Sequence, residues 1–243
     1  MKFVISDYAS FVQSILKSDY TCRSFADPLS RDISGRNLLL RHDLDIDPSA
    51  ALPMAKAEAE VGAQATYFVL LSNRHTNPFD HEFRAAVAEL VQLGHWIGLH
   101  FDATQYSLNA SSPEFASVVG REVDWLAQVC NVQVDSVSFH RPARDLIASR
   151  GELTAPLTHT YENVFIREME YCSDSSGRWA YGPPEERTAV AEGRPFHFLT
   201  HPIWWGETDV EPLSRITQWM SGRVNDDFEY EIPNVNNPFK GLL

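Results

Sequence analysis

Histidine and aspartate residues occur in four short runs whose side chains could together support metal-assisted hydrolysis. The runs are 42–47 (HDLDID), 100–102 (HFD), 140–142 (HRP) and 201–205 (HPIWW). Two imidazoles and one carboxylate suit Zn²⁺ or a similar divalent ion, and they leave a coordination position open for water. A second carboxylate can accept the proton of that water, and another imidazole can protonate a leaving amine.

Each run also has a purely structural interpretation. Asp47 precedes Pro48 and suits a helix N-cap. A lone histidine at the end of a strand is more often a hydrogen-bonded structural residue than a ligand, and a tryptophan pair more often belongs to a core. The functional interpretation is favoured because acids and imidazoles are predicted at one edge of one sheet, where several independent structural explanations would otherwise be needed.

The elements that position these runs alternate between strands and helices. Apolar segments predict strands at 38–40, 65–71, 95–102 and 134–142, with helical patterns at 48–61, 83–91 and from residue 112 onward. This alternation is typical of βαβ units and a parallel sheet, which binds ligands at the C-terminal ends of its strands. Further strands are predicted near 161–165, 170–172 and 195–200, and helices near 8–16 and 212–223, with an irregular tail at 232–243.

Composition limits the class of protein. An apolar fraction of 44% with six tryptophans predicts a globular chain, and we expect one domain over residues 1–243. A formal net charge of −13 argues against a nucleic-acid partner, which would need clustered basic residues. No apolar run reaches about 18 residues, so no membrane span is predicted.

The cysteines and the first residues predict a cytoplasmic location. Cys22, Cys130 and Cys172 form no CxxC pair and leave one cysteine over, as expected for reduced thiols in a reducing compartment. Asp7 interrupts the early apolar run, so that no apolar core of a signal peptide forms.

The runs resemble, in order over residues 38–205, the motifs of the polysaccharide deacetylase family (NodB homology, similar to carbohydrate esterase family 4). Within that family, the sequence is similar to the deacetylase-like proteins of O-antigen and capsule biosynthesis. The resemblance implies a parallel (β/α) barrel, distorted or incomplete and seven-stranded. It also implies a metal-dependent hydrolase that removes an N-acetyl or related acyl group from an acetamido sugar.

The resemblance also implies roles for individual residues. LRHDLD (40–45) is similar to the motif that pairs a catalytic base with a metal ligand, here Asp43 and Asp45. GHWIGLH (94–100) is similar to the stretch with the first metal-binding histidine, here His100. SFHRP (138–142) resembles the family motif whose arginine orients the catalytic base, which implies that role for Arg141. LTH (199–201) resembles the motif that supplies the general-acid histidine, here His201.

One position departs from the family pattern. Thr104 stands where the family has its second metal-binding histidine. We predict that His140 replaces it, because His140 ends a neighbouring strand, with Asp102 as the alternative. The predicted centre therefore holds one divalent ion, which we expect to be Zn²⁺, between Asp45, His100 and His140.

Aromatic residues near the predicted site favour a sugar ligand, because aromatic rings cover the apolar faces of sugar rings. YCSDSSGRW (171–179) occupies the place of an Asp/Trp motif of the family. The predicted substrate-binding residues are Tyr67, Asp174, Trp179, Trp204 and Trp205. The expected substrate is an acetamido sugar carried by a sugar nucleotide or a lipid-linked saccharide.

Two other functions remain open on the sequence. Thr104 is compatible with a catalytically inactive carbohydrate-binding homologue of the same fold. A glycosidase that uses Asp43 and Asp45 would need the two carboxyls about 5–10 Å apart around a sugar bond. Two acids at one strand end beside several histidines fit a metal site better.

Overall fold

The computed structural model describes residues 1–147, 149 and 151–236. Its contacts divide the chain into two compact units, Met1–Asp209 and a second unit that begins at Val210. The first unit contains every predicted site residue. A single catalytic domain over the whole chain stays a prediction.

Within its described residues, the first unit is built on eight parallel strands. They are β1 (Thr21–Cys22), β2 (Asn37–Leu44), β3 (Thr66–Val69), β4 (Trp96–Phe101), β5 (Val134–Phe139), β6 (Thr158–His159), β7 (Glu170–Ser173) and β8 (Phe196–Thr200). Its helices are α1 (Ile5–Leu16), α2 (Leu52–Glu60), α3 (His81–Gln92), α4 (Phe115–Cys130) and α5 (Ala189–Glu192). In the second unit, α6 covers Pro212–Asn236.

Seven of the strands form a curled, incomplete barrel in the order β6-β5-β4-β3-β2-β8-β7, and β1 pairs with the start of β2. All pairings are parallel. The predicted barrel is therefore confirmed. Because the strands are parallel, their C-terminal ends lie at one edge, which is where β2, β4, β5 and β8 carry the polar runs.

The strand β2 divides its side chains between two environments. Leu39 packs against Phe68 and Phe165 in a cluster inside the barrel. Leu38 and Leu40 belong to the large core cluster that includes residues of the helices. Side chains along a strand alternate between the two faces. Arg41 and Asp43 therefore share the barrel face with Leu39, and His42 lies on the helix side.

Two predicted elements differ from the structure. The strand predicted at 161–165 is replaced by β6 and by a π-helical turn at Val164–Glu168. A short apolar pattern does not distinguish a strand from a helical turn, and the turn buries Phe165 completely. The last helix begins as predicted but continues to Asn236. Residues 237–243 of the predicted tail lie outside the described residues.

Two further observations concern the predicted location. None of the helices in the described ranges combines the length and apolar character needed to cross a lipid bilayer. Cys22, Cys130 and Cys172 are all free thiols.

Candidate functional site

The three predicted metal ligands lie together. Asp45 follows β2, His100 belongs to β4 and His140 follows β5. Asp45 Oδ1 lies 3.0 Å from His100 Nε2 and 3.2 Å from His140 Nδ1, and the two nitrogens are 3.2 Å apart. Ligand atoms about 2.0–2.2 Å from a shared zinc ion lie roughly 3–3.6 Å from one another. The geometry and the donor types therefore fit a divalent cation.

Neighbouring groups hold two of these ligands in place. His100 Nδ1 lies 2.5 Å from Ser138 Oγ, so that Nε2 is directed towards Asp45. Such contacts to the second ring nitrogen fix the orientation of metal-binding histidines. Burial alone would raise the pKa of Asp45, but hydrogen bonds with His100 and His140 hold this pKa far below its usual range. Asp45 therefore stays ionised, as a cation ligand must.

Asp102 and Asp47 are helix caps. Asp102 Oδ1 accepts hydrogen bonds from the Thr104 N–H (3.0 Å) and the Thr104 hydroxyl (2.6 Å) at the start of a 3₁₀ turn. Its carboxylate is thus occupied by these hydrogen bonds, and His140 is the residue that joins Asp45 and His100. Asp47 accepts from the Ser49 N–H, which confirms its interpretation as an N-cap.

The predicted base, Asp43, is held by an arginine of its own strand. Arg41 Nε and Nη2 donate to the two Asp43 carboxylate oxygens at 2.9 and 2.7 Å. Arg41 is fully buried and Asp43 is 3% exposed. Burial alone would raise the pKa of Asp43, but the charges of Arg41 and His100 hold it below its usual range.

This pairing corrects the role expected for Arg141. The side chain of Arg141 is exposed and lines the same cavity. Its backbone is in the left-handed region, with a φ of 45°. The guanidinium that orients Asp43 is that of Arg41. Arg41 and Asp43 are separated by one position on β2, so their side chains point to the same face of the sheet. The guanidinium is therefore close enough to form two hydrogen bonds with the carboxylate.

The predicted acid, His201, is paired with a buried carboxylate. Asp174 is fully buried, and its Oδ1 lies 2.6 Å from His201 Nδ1. It also accepts from the His201 backbone N–H and, at 2.8 Å, from Trp205 Nε1. Burial alone would lower the pKa of His201, but Asp174 raises this pKa to about 9. With Nδ1 donating to Asp174, Nε2 is the nitrogen that remains for chemistry.

These groups surround one cavity of about 470 Å³. Trp204 is the predicted aromatic residue that lines it. Its Nε1 is buried and has no hydrogen-bond partner among the described residues. The lining residues are Asp43, Asp45, His100, Phe139, His140, Arg141, Pro142, Tyr161, Tyr171, Ser175, Ser176, Leu199, His201 and Trp204.

The other predicted substrate contacts lie behind or away from this cavity. Asp174 and Trp205 form the support of His201 described above. Tyr67 is fully buried on the helix side of the sheet, where its hydroxyl donates to Glu58 at 2.6 Å. It is in register with His42, on the face opposite Asp43. Trp179 stacks on Phe3 with ring centroids 5.3 Å apart and donates to the Met1 carbonyl.

Sequence reasoning did not find two residues that position the site, Arg41 and Ser138. Both stand two positions before a predicted functional residue on a strand, Arg41 before Asp43 and Ser138 before His140. The two-residue period of a strand was the signal that could have found them.

Comparison with known proteins gives matches among solved structures alone, since no protein-family model and no curated protein matches the sequence. A CE4 esterase from Streptococcus mutans is 15% identical, with 84% of this chain and 86% of that chain covered and a TM-score of 0.50. The polysaccharide deacetylase Bc1974 from Bacillus cereus is 14% identical, with coverages of 76% and 87% and a TM-score of 0.46. At such low sequence identity, structural similarity is evidence for the fold alone. The evidence for the fold is the similarity to the Streptococcus mutans structure, which has the higher TM-score of the two. The resemblance is thereby confirmed at the level of architecture: this chain has a fold similar to that of a CE4 esterase.

Proposed function

We propose that this chain is a divalent-metal-dependent hydrolase that removes an N-acetyl or related acyl group from an acetamido sugar. One observation carries the proposal: around a single cavity lie a carboxylate kept ionised, an imidazole kept protonated and a cluster of three metal-binding side chains. Amide hydrolysis needs a base for water and an acid for the leaving nitrogen.

Asp45, His100 and His140 would hold the ion, which we propose to be Zn²⁺ because a two-histidine, one-carboxylate set suits zinc. Bound there, the ion supplies Lewis-acid polarisation of a carbonyl and activation of water.

The residues around the cluster divide the proton transfers between them. Asp43 accepts the proton of the attacking water, since Arg41 keeps its carboxylate ionised. His201, protonated at neutral pH by its contact with Asp174, donates a proton from Nε2 to the departing nitrogen. The products are the free acid and the amino sugar.

The cavity walls support a sugar substrate. The unpaired Trp204 Nε1 can donate to a sugar or carbonyl oxygen, and its ring can cover an apolar sugar face. Arg141, released from the task of holding Asp43, is available to contact the substrate at the cavity wall. We propose a sugar nucleotide or lipid-linked saccharide of surface polysaccharide (O-antigen or capsule) biosynthesis as the carrier. The three free cysteines support the cytoplasmic location that this substrate implies.

Neither alternative has a specific observation in its favour. His140 stands beside Asp45 and His100, which weakens the inactive-homologue argument based on Thr104. Asp43 is bound by Arg41, and Asp45 by two histidines. Asp45, held by two histidines, is therefore not available as the second carboxyl of a glycosidase pair.

Metal removal and reloading test the proposal. Protein stripped with a chelator should release no acetate from a panel of free, nucleotide-linked and lipid-linked acetamido sugars, and added Zn²⁺ should restore release. In calorimetric titration, His140→Ala should bind Zn²⁺ much more weakly than wild type. His81→Ala, which removes an exposed imidazole outside the site, should bind normally. Full activity of the stripped protein, or normal zinc affinity of His140→Ala, would contradict the proposal.

A further inference from the structure

A second concave site lies outside the catalytic cavity. It is a groove of about 540 Å³ between the loop after β3, the 3₁₀ turn at Ala103–Tyr106 and α4. Its residues are Leu71, Ser72, Pro78, Phe79, Tyr106, Glu122, Trp125, Gln128 and Val129, none of which lines the catalytic cavity. The proposed hydrolysis uses none of them.

A buried carboxylate with an unsatisfied oxygen lines this groove. Glu122 is 2% exposed, and its Oε1 accepts a hydrogen bond from the Tyr106 hydroxyl at 2.6 Å. Its Oε2 is buried and has no hydrogen-bond partner among the described residues. A buried carboxylate oxygen without a donor is costly, so the groove holds a strong acceptor that a ligand can satisfy.

The charge around Glu122 favours a cationic donor. The pKa of Glu122 is raised, chiefly by burial and also by the charge of Asp102, although the Tyr106 hydrogen bond and the charge of Arg121 lower it in part. A positive group at Oε2 would offset the burial cost and the repulsion together.

The walls of the groove are aromatic and accessible. Trp125 is 48% exposed and Phe79 is 75% exposed. Aromatic faces attract cations, and the Arg121 guanidinium already lies 5.7 Å from the centroid of the Trp125 ring. The groove offers few polar groups besides Glu122, Ser72 and Gln128, so a polyol would leave most of its hydroxyls unpaired.

We propose that this groove binds a small organic ammonium ion. Its N–H groups donate to Glu122 Oε2, and its apolar part packs against Trp125 and Phe79. The chemistry that recognises it is a buried carboxylate in a groove with aromatic walls, which selects positive charge over a neutral hydroxyl.

Calorimetric titration with a matched pair of probes tests this site. The probes are 2-phenylethylamine, which is cationic at neutral pH, and 2-phenylethanol, its neutral counterpart. Wild type should bind the amine at least about 10-fold more tightly than the alcohol, because hydrogen bonds to charged groups are the stronger ones. Glu122→Gln keeps the shape of the side chain and should lose that preference. Asp124→Asn removes an equal charge from an exposed position of the same helix and should bind the amine normally.

Three results would overturn the proposal: no binding of the amine to wild type, equal affinity for amine and alcohol, or unchanged amine affinity in folded Glu122→Gln. If circular dichroism shows that Glu122→Gln does not fold, Trp125→Ala takes its place, since Trp125 is half-exposed. Amine affinity in Trp125→Ala should fall several-fold, and an unchanged value would equally overturn the proposal.

Discussion

At the scale of residues, the site depends on two ion pairs that set opposite protonation states. Arg41 lowers the pKa of Asp43, and Asp174 raises that of His201 to about 9. Near neutral pH one group is therefore a base and the other an acid. Environments that separate the pKa values of two groups in this way are the usual basis for dividing acid and base roles.

Arg41→Met should destabilise the fold by about 3–5 kcal/mol, because it leaves Asp43 buried without its guanidinium partner. The free energy of unfolding in urea measures the effect. Arg141→Met removes the same charge from an exposed side chain and should change that free energy by less than about 0.5 kcal/mol. Equal losses in the two variants would contradict the assignment of Arg41 as the partner of Asp43.

The rate of hydrolysis should fall as the pH rises through about 9, because the acid form of His201 is then lost. Asp174→Asn removes the carboxylate that raises the pKa of His201, so that the alkaline limb of the pH–rate profile should move to lower pH. Glu207→Gln removes a charge from an exposed position nearby in the sequence and should leave the limb unchanged. A limb that stays in place in Asp174→Asn would exclude His201 as the acid.

The same pair also links stability to pH. The pKa of His201 is raised above its unfolded value of about 6.5. Its contribution to stability is therefore fully present below about pH 6.5 and is lost as the pH rises through about 9. Thermal melts of wild type and Asp174→Asn across this range should converge towards alkaline pH.

At the scale of elements, the alternation of β2 separates catalysis from core support. Arg41 and Asp43 face the barrel interior, whereas His42 Nε2 lies 2.8 Å from the buried Glu58 of α2 on the other face. The Tyr8 and Tyr67 hydroxyls also donate to Glu58, at 2.5 and 2.6 Å. One strand thus anchors a helix layer and presents the proposed base.

Inside the barrel, β3 and β4 approach closely at Gly98, which pairs with Phe68. A Cβ at Gly98 would lie 2.4 Å from the fully buried Phe68 ring and 3.1 Å from the Ser136 carbonyl. Gly98→Ala should therefore destabilise the protein by about 1–3 kcal/mol through overpacking. Gly120→Ala on α4 meets open space and should instead stabilise it, by up to about 1 kcal/mol. Thermal melts compare the two, and a neutral Gly98→Ala would contradict the packing described.

The strands and the gathering of Asp45, His100 and His140 could be predicted because polar runs at parallel strand ends meet at one edge. Which face of each strand lines the cavity could not be predicted, because alternation shows which residues share a face but not whether that face points to the site or to the helices. The sequence therefore predicts Tyr67 at the substrate, whereas its register with His42 turns it towards the helices. The Arg-Pro motif predicts Arg141 as the arginine that orients Asp43, whereas the alternation of β2 brings Arg41 to that carboxylate.

At the scale of the whole molecule, the barrel brings distant parts of the chain together. Asp43 and His201 are separated by most of the first unit, yet β2 and β8 are neighbours in the sheet and place both side chains at one cavity. The order of strands, rather than proximity in sequence, builds the site. Sequence identity to the Streptococcus mutans esterase is 15%, so the shared fold does not by itself assign a reaction to this chain. The proposed chemistry is tested by substituting this chain's own residues.

The most direct test is acetate release from acetamido sugars by wild type and Asp43→Asn, each loaded with Zn²⁺ and checked for metal content and circular dichroism. Wild type should release acetate, and Asp43→Asn should retain its fold and metal but lose about 10²–10⁴-fold in rate, as expected when a general base is removed. A folded, metal-containing Asp43→Asn that hydrolyses at the wild-type rate, or a metal-loaded wild type that releases no acetate from any acetamido sugar, would contradict the proposed function.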